Sequence, residues 1–172
     1  MRKSTAISVY GSTLIGLRIA DAILTRRLIE AHGGGVKELN PLVSTDSVLS
    51  VFLSPAPITV SIAFFAMFSM MVFYPEQTLS AYSDRGSSIK SITAKAVLGM
   101  PFLILAFVLL AVIQNSSILF LGASVWPEAV REWKVANPVL ALFCLAMVLE
   151  LVFGPLFRKA MLALLINVKT AP

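Results

Sequence analysis

Four long apolar runs, separated by polar stretches, give the chain its pattern. They cover about residues 5–31, 58–74, 96–113 and 139–157. A helix needs about 20 predominantly apolar residues to cross the hydrocarbon core of a bilayer, since each residue advances it by about 1.5 Å. The pattern therefore predicts an all-α, polytopic membrane protein with about four transmembrane helices, forming a single helical membrane domain over residues 1–172.

The first run begins after Arg2 and Lys3, which gives it the outline of a signal peptide with a basic amino-terminal region. However, it contains the charged residues Arg18 and Asp21 and lacks a small-x-small cleavage site. We therefore expect an uncleaved first transmembrane helix, followed by a glycine-rich loop over residues 32–46.

A segment over about residues 118–135 does not fit the four runs. It follows the polar residues 114–117, which we expect to close the third span. Its first half is apolar and its second half is charged, with Trp126 and Trp133 seven residues apart on one helical face. Tryptophans flanked by charges are typical of a helix at the membrane surface. We predict a short interfacial helix anchored by these two residues, unless its apolar half extends the third span.

Composition and charge narrow the class of protein. Hydrophobic residues make up 58% of the chain and charged residues only 13%, whereas about a quarter of a soluble domain is charged. The mean hydropathy is +0.87. The formal net charge is +5, but the basic residues cluster at the ends of the apolar runs, which argues against nucleic-acid binding. The single cysteine, Cys144, excludes an intrachain disulfide.

The distribution of basic residues predicts how the chain is oriented in the membrane. Four spans place both termini on one side. Eight of the lysines and arginines then fall on that side and five on the other. The excess of positive charge on cytoplasmic loops predicts that both termini are cytoplasmic.

The polar residues of the first run form the strongest candidate site. Arg18, Asp21 and Thr25 share one helical stripe, because each residue turns a helix by about 100°. Charged groups inside a membrane are costly unless they are paired or directed into the bundle. We therefore expect the stripe to face other helices, either as a substrate or proton site or, as we favour, as a neutralised pair that locks helix packing. Glu150, in the fourth run, is a further intramembrane carboxylate. Its partner could be Arg18, whose depth in the membrane differs from that of Glu150 by roughly 8 Å, or Lys95.

The loop after the first run contains His32, Glu38 and Asp46. One histidine with two carboxylates is a minimal set for metal binding or acid-base chemistry. Their spacing matches no metal motif and there is only one histidine, so His32 is a weak candidate ligand. We predict no metal and no cofactor, and we expect bound lipids.

The sequence Asp21, Thr25 and then Glu38-x-Asn40-Pro41 resembles a family of small uncharacterised prokaryotic membrane proteins. In that family the first helix carries an aspartate followed by a threonine and leads into a Glu-x-Asn-Pro loop. The resemblance covers the first quarter of the chain and implies a small helical protein of a prokaryotic plasma membrane, with no known reaction, cofactor or ligand. It marks these positions for testing. An Asn40-Pro41 turn beside Glu38 could dock against the first helix and fix its angle to the second.

Two functional hypotheses follow. The first is a non-catalytic integral membrane subunit that packs within a larger complex, such as an energy-converting or oxidoreductase assembly, because catalytic groups are scarce. Its partners would be lipids and other membrane protein subunits. The alternative is a small transporter or intramembrane enzyme with a polar site on the first helix, which predicts a water-accessible cavity reaching Asp21. We favour the first hypothesis, in which the protein is not catalytic by itself.

Overall fold

The computed structural model describes residues 1–31, 47–83, 97–122 and 138–170, with the side chains described from Cys144 in the last range. These residues are almost entirely helical, and no strand occurs among them. The helices are α1 (Lys3–Ala31), α2 (Val48–Phe52), α3 (Pro55–Phe73), α4 (Pro75–Ser83), α5 (Met100–Leu121) and α6 (Pro138–Lys169).

The four longest of these helices, α1, α3, α5 and α6, are long and apolar enough to cross a membrane. The predicted all-α fold with about four transmembrane helices is therefore confirmed. The span within α6 covers Cys144–Lys169.

Local sequence explains where the shorter elements begin and end. Ser47 caps α2 by accepting a hydrogen bond from the Ser50 backbone N–H, and the Ser50 hydroxyl accepts one from the Ser47 N–H. Pro55 occupies the first turn of α3, where a missing N–H costs nothing. Gly122 ends α5 in a left-handed conformation with φ of 65°, which favours a residue without a Cβ.

The third span differs from the prediction, because α5 does not end at residue 113. The polar residues 114–117 lie inside the helix, which continues to Leu121. Polar groups can continue a membrane helix when a neighbouring helix satisfies them, and α1 does so here. Residues 118–121 therefore extend the third span and do not begin an interfacial helix. The rest of that predicted segment, from residue 123 to 135, lies outside the described residues.

The fourth span also runs further than predicted. Helix α6 passes through Pro155 and continues past residue 157 to Lys169. Proline removes one hydrogen bond from a helix interior, but packing beyond it holds the helix together. Residues of this extension are fully or almost fully buried in the core: Met161, Leu165 and Val168.

The main core joins the four spans near the chain termini. Tyr10 of α1 stacks on Phe68 of α3, with ring centroids 4.0 Å apart. Its hydroxyl donates a 2.9 Å hydrogen bond to the Pro101 carbonyl of α5, so one side chain connects three helices. The buried residues of this cluster are Ala6, Tyr10, Leu14, Phe68, Met71, Val72, Leu98, Val108, Met161, Leu165 and Val168.

The start of α1 and the end of α6 lie at the same end of the helical bundle. The Met1 amino group donates to the Asn167 carbonyl at 3.3 Å, and Lys3 Nζ donates to the Phe73 carbonyl at 3.0 Å. The start of α1 and the ends of α3 and α6 therefore meet at one end, which we call the terminal end. The opposite end, where α1 finishes and α3 begins, is called the far end.

Candidate functional site

Three polar residues of α1 point into the protein in the far half of the helix. Arg18 is 8% exposed and Thr25 is 7% exposed, while the Asp21 side chain is 16% exposed. Their spacing of three and four residues places them on one face. That face is turned toward α2 and α5, since the partners described below come from those helices.

Asp21 lies at the centre of this group and accepts hydrogen bonds on both carboxylate oxygens. Arg18 Nη1 donates to Asp21 Oδ2 at 3.1 Å. From α5, Asn115 Nδ2 donates to Asp21 Oδ1 at 3.1 Å and to Thr25 Oγ1 at 3.1 Å. We call Arg18, Asp21, Thr25 and Asn115 the polar cluster. It joins α1 to α5 by side-chain hydrogen bonds inside the bundle.

Arg18 also links α1 to α2. Its Nη2 atom donates to the carbonyl of Phe52, the last residue of α2, at 3.4 Å. Carbonyls in the last turn of a helix lack partners within that helix, so Arg18 satisfies one of them. A guanidinium has five N–H donors. Two are used here, and the others have no acceptor among the described residues.

Glu150 lies apart from the polar cluster and is bonded to Arg158, eight residues further along α6. Gly154 lies between them, and the Glu150 carboxylate occupies the space that a Cβ would take there. Glu150 Oε2 is buried without a hydrogen-bond donor among the described residues. Of the two partners considered from sequence, Arg18 makes no ion pair with Glu150 in the described structure, and Lys95 lies outside it.

The remaining predicted site residues lie outside the described residues and stay predictions. They are His32, Glu38, Asn40, Pro41, Trp126 and Trp133. Within the described ranges, no three histidine, cysteine, aspartate or glutamate side chains are grouped so as to hold a metal ion.

Asn115 is the site residue that sequence reasoning missed. Its signal was present in the run of polar residues 114–117, which we interpreted as the end of a span. The same run could equally mark a point where a membrane helix meets another polar helix. Asp21 and Thr25, four residues apart on α1, supply that polar surface.

A groove of about 480 Å³ lies beside the polar cluster, between α1 and α3. Arg18 and Phe52 line its far end, whereas Asp21 is not part of its wall. Its other lining residues are apolar or carry small hydroxyls. Of the four residues of the polar cluster, only Arg18 lines the groove.

No known protein family, curated protein or solved structure matches this chain. The resemblance noted in the first quarter of the sequence therefore stays an expectation.

Proposed function

We propose that this protein is a non-catalytic integral membrane subunit that packs within a larger membrane complex. The observation that carries the proposal is the side-chain bonding that joins the polar cluster across α1 and α5. Arg18 and Asp21 neutralise each other, and Asn115 bonds both Asp21 and Thr25 across two helices. Such an arrangement suits a lock on helix packing, because both carboxylate oxygens of Asp21 and the Thr25 hydroxyl accept hydrogen bonds from neighbouring side chains.

The alternative, a small transporter or intramembrane enzyme, requires solvent or substrate to reach Asp21. The groove between α1 and α3 is lined by Arg18 but not by Asp21. Both carboxylate oxygens already accept hydrogen bonds from protein donors. The geometry therefore favours a structural role for Asp21 over a role as a proton or substrate carrier.

The outer surfaces of the spans are consistent with assembly. Between 17% and 28% of the residues in the most apolar part of each span are buried within the chain. Most of the span surface is therefore left to lipid and to neighbouring subunits. Without water to drive association, subunits in a membrane interact through close packing and interhelical hydrogen bonds, which need rigid, well-positioned helices. The polar cluster would supply that rigidity to α1 and α5.

The direct test is purification of the tagged protein from its native membrane in a mild detergent, followed by size analysis and identification of co-purifying proteins. The proposal expects a large particle with partners in fixed stoichiometry. A lone small particle, with no co-purifying protein, would overturn it.

A pair of variants separates the two hypotheses at the polar cluster. Asp21→Asn with Arg18 retained leaves an uncompensated buried cation, so it should damage assembly. The double variant Arg18→Gln with Asp21→Asn removes both charges and should recover much of the assembled particle. Intact assembly in the single variant would instead favour the transporter or enzyme.

We further propose that both termini face the cytoplasm of a prokaryotic cell. The support is the shared terminal end, where Arg2, Lys3 and Lys169 are exposed, together with the excess of basic residues expected on that side. Reporter fusions at each terminus test this. Activity of a periplasm-specific reporter at either terminus would contradict it.

A further inference from the structure

The groove between α1 and α3 opens on the lateral surface of the bundle. Its volume of about 480 Å³ falls within the range of about 300–1,000 Å³ typical of small-molecule sites. Most of its wall is hydrocarbon, from residues such as Ile7, Leu14, Ile58 and Phe65. Three hydroxyls and one arginine are the polar exceptions.

Small residues create this space on an otherwise bulky surface. Ser8 and Ser12 of α1 and Ser61 of α3 line the groove. At Gly11 the Phe65 ring lies so close that a Cβ would come within 2.8 Å of it. Larger side chains at these positions would fill the groove.

The depth of the groove can be estimated from α3. This helix has 19 residues and is therefore about 28 Å long, close to the hydrocarbon core of about 30 Å. Phe52 precedes the first residue of α3, Pro55, so it lies near the membrane boundary at the far end. The guanidinium of Arg18, whose Nη2 atom bonds the Phe52 carbonyl, reaches a similar level.

The length of the groove corresponds to one leaflet. Its α1 wall extends from Ile7 to Arg18, which is about 16 Å along the helix axis. Half of the hydrocarbon core is about 15 Å. An acyl chain that starts at the far boundary and lies along this wall would therefore end near the middle of the bilayer.

Arg18 gives the groove a polar end at headgroup level. Its bonds to Asp21 and to the Phe52 carbonyl use two of its five N–H donors. Arg18 also lines the groove. The remaining donors have no acceptor among the described residues. A planar guanidinium matches a phosphate oxygen in geometry and charge, since such pairs form strong charge-assisted hydrogen bonds.

We propose that the groove holds one acyl chain of a phospholipid from the far-end leaflet, whose phosphate accepts hydrogen bonds from Arg18. This site is independent of whether the protein assembles with other subunits. It assigns Arg18 a second role, because one donor of the guanidinium bonds Asp21 in the polar cluster and others bond the lipid phosphate.

The test uses the full chain in lipid nanodiscs that contain a phospholipid with a photoreactive diazirine on one acyl chain. After illumination, labelled peptides are identified by mass spectrometry. We expect labelling concentrated on the groove walls of α1 and α3. Labelling spread evenly over the outward surfaces of all four spans would overturn the proposal.

Two variants test the occupancy of the groove. Ser12→Phe introduces a ring into the groove and should reduce labelling of its walls by roughly tenfold, because an acyl chain could then enter only by overpacking the groove. Thr13→Phe adds the same ring one position along, on an exposed residue outside the groove, and should leave labelling unchanged. Equal labelling in both variants would show that the groove is empty.

The headgroup requires its own comparison. A diacylglycerol with the same photoreactive chain lacks the phosphate and should label the groove roughly tenfold less than the phospholipid. In the double variant Arg18→Gln with Asp21→Asn this difference should disappear. Equal labelling by the two lipids in the unaltered protein, or recovery of a cross-linked protein helix in the groove, would overturn the proposal.

Discussion

Replacing Asn115 by leucine tests the contact between α1 and α5 most directly. The change keeps the side chain at nearly the same size while removing the hydrogen bonds to Asp21 and Thr25, each 3.1 Å long. Hydrogen bonds between membrane helices contribute about 0.6 kcal/mol on average and up to about 1.7 kcal/mol. The bond to a charged acceptor should lie toward the upper value, so we expect a loss of about 1–2.5 kcal/mol in the free energy of unfolding.

The measurement is reversible unfolding in mixed micelles, followed by circular dichroism. Ser116→Leu is the matched control, since it places the same side chain one position along α5, at a residue of similar partial burial. We expect it to change stability by less than about 0.5 kcal/mol. If the two variants were equally stable, the polar cluster would not lock these helices. A double-mutant cycle with Thr25→Val should then show no coupling, whereas our interpretation expects about 0.5–1 kcal/mol.

Three further predictions concern other contacts of the bundle, each measured by the same unfolding assay. Gly11→Val should lower the free energy of unfolding by about 1–3 kcal/mol, because the new side chain meets the Phe65 ring. Gly16→Val has open space around it and should lower it far less. Equal losses in the two variants would refute the close approach of Phe65 to Gly11. Arg158→Met should lower the free energy of unfolding by about 1–3 kcal/mol, because it leaves the Glu150 carboxylate without its cation. Adding Glu150→Gln should recover most of that loss. No recovery in the double variant would show that the ion pair does not stabilise the fold. Tyr10→Phe removes the hydrogen bond to the Pro101 carbonyl and should lower the free energy of unfolding by about 1 kcal/mol. Tyr74→Phe, on an exposed ring, should leave it unchanged. An unchanged stability of Tyr10→Phe would show that the Tyr10 hydroxyl is dispensable.

The fold could be predicted because hydropathy alone determines which segments cross a membrane. All four apolar runs correspond to helices that are long and apolar enough to do so. The grouping of Arg18 with Asp21 was also accessible, since residues three apart on a helix lie on one face. These features depend on local sequence, so no knowledge of the neighbouring helices was needed.

The ends of the spans could not be predicted because they depend on contacts between distant residues. The polar run that contains Asn115 resembles the end of a helix until Asp21 and Thr25 are placed opposite it. The length of α6 was hidden in a different way. The predicted fourth span stopped at residue 157, just before Arg158. Glu150 neutralises Arg158 from two turns away, a pairing that the usual spacings of three and four residues do not reveal. The small Gly154 between them makes room for the carboxylate.

Arg18 is the residue at which the structural and lipid-binding roles can be separated. If the arginine only neutralises Asp21, the double variant Arg18→Gln with Asp21→Asn should resemble the unaltered protein both in assembly and in lipid labelling, because no net charge is left buried. If it also binds a phosphate, the double variant should assemble but lose its preference for phospholipid over diacylglycerol. The two measurements are made on the same purified variant, so a defect in folding would affect both and cannot be mistaken for the loss of one role.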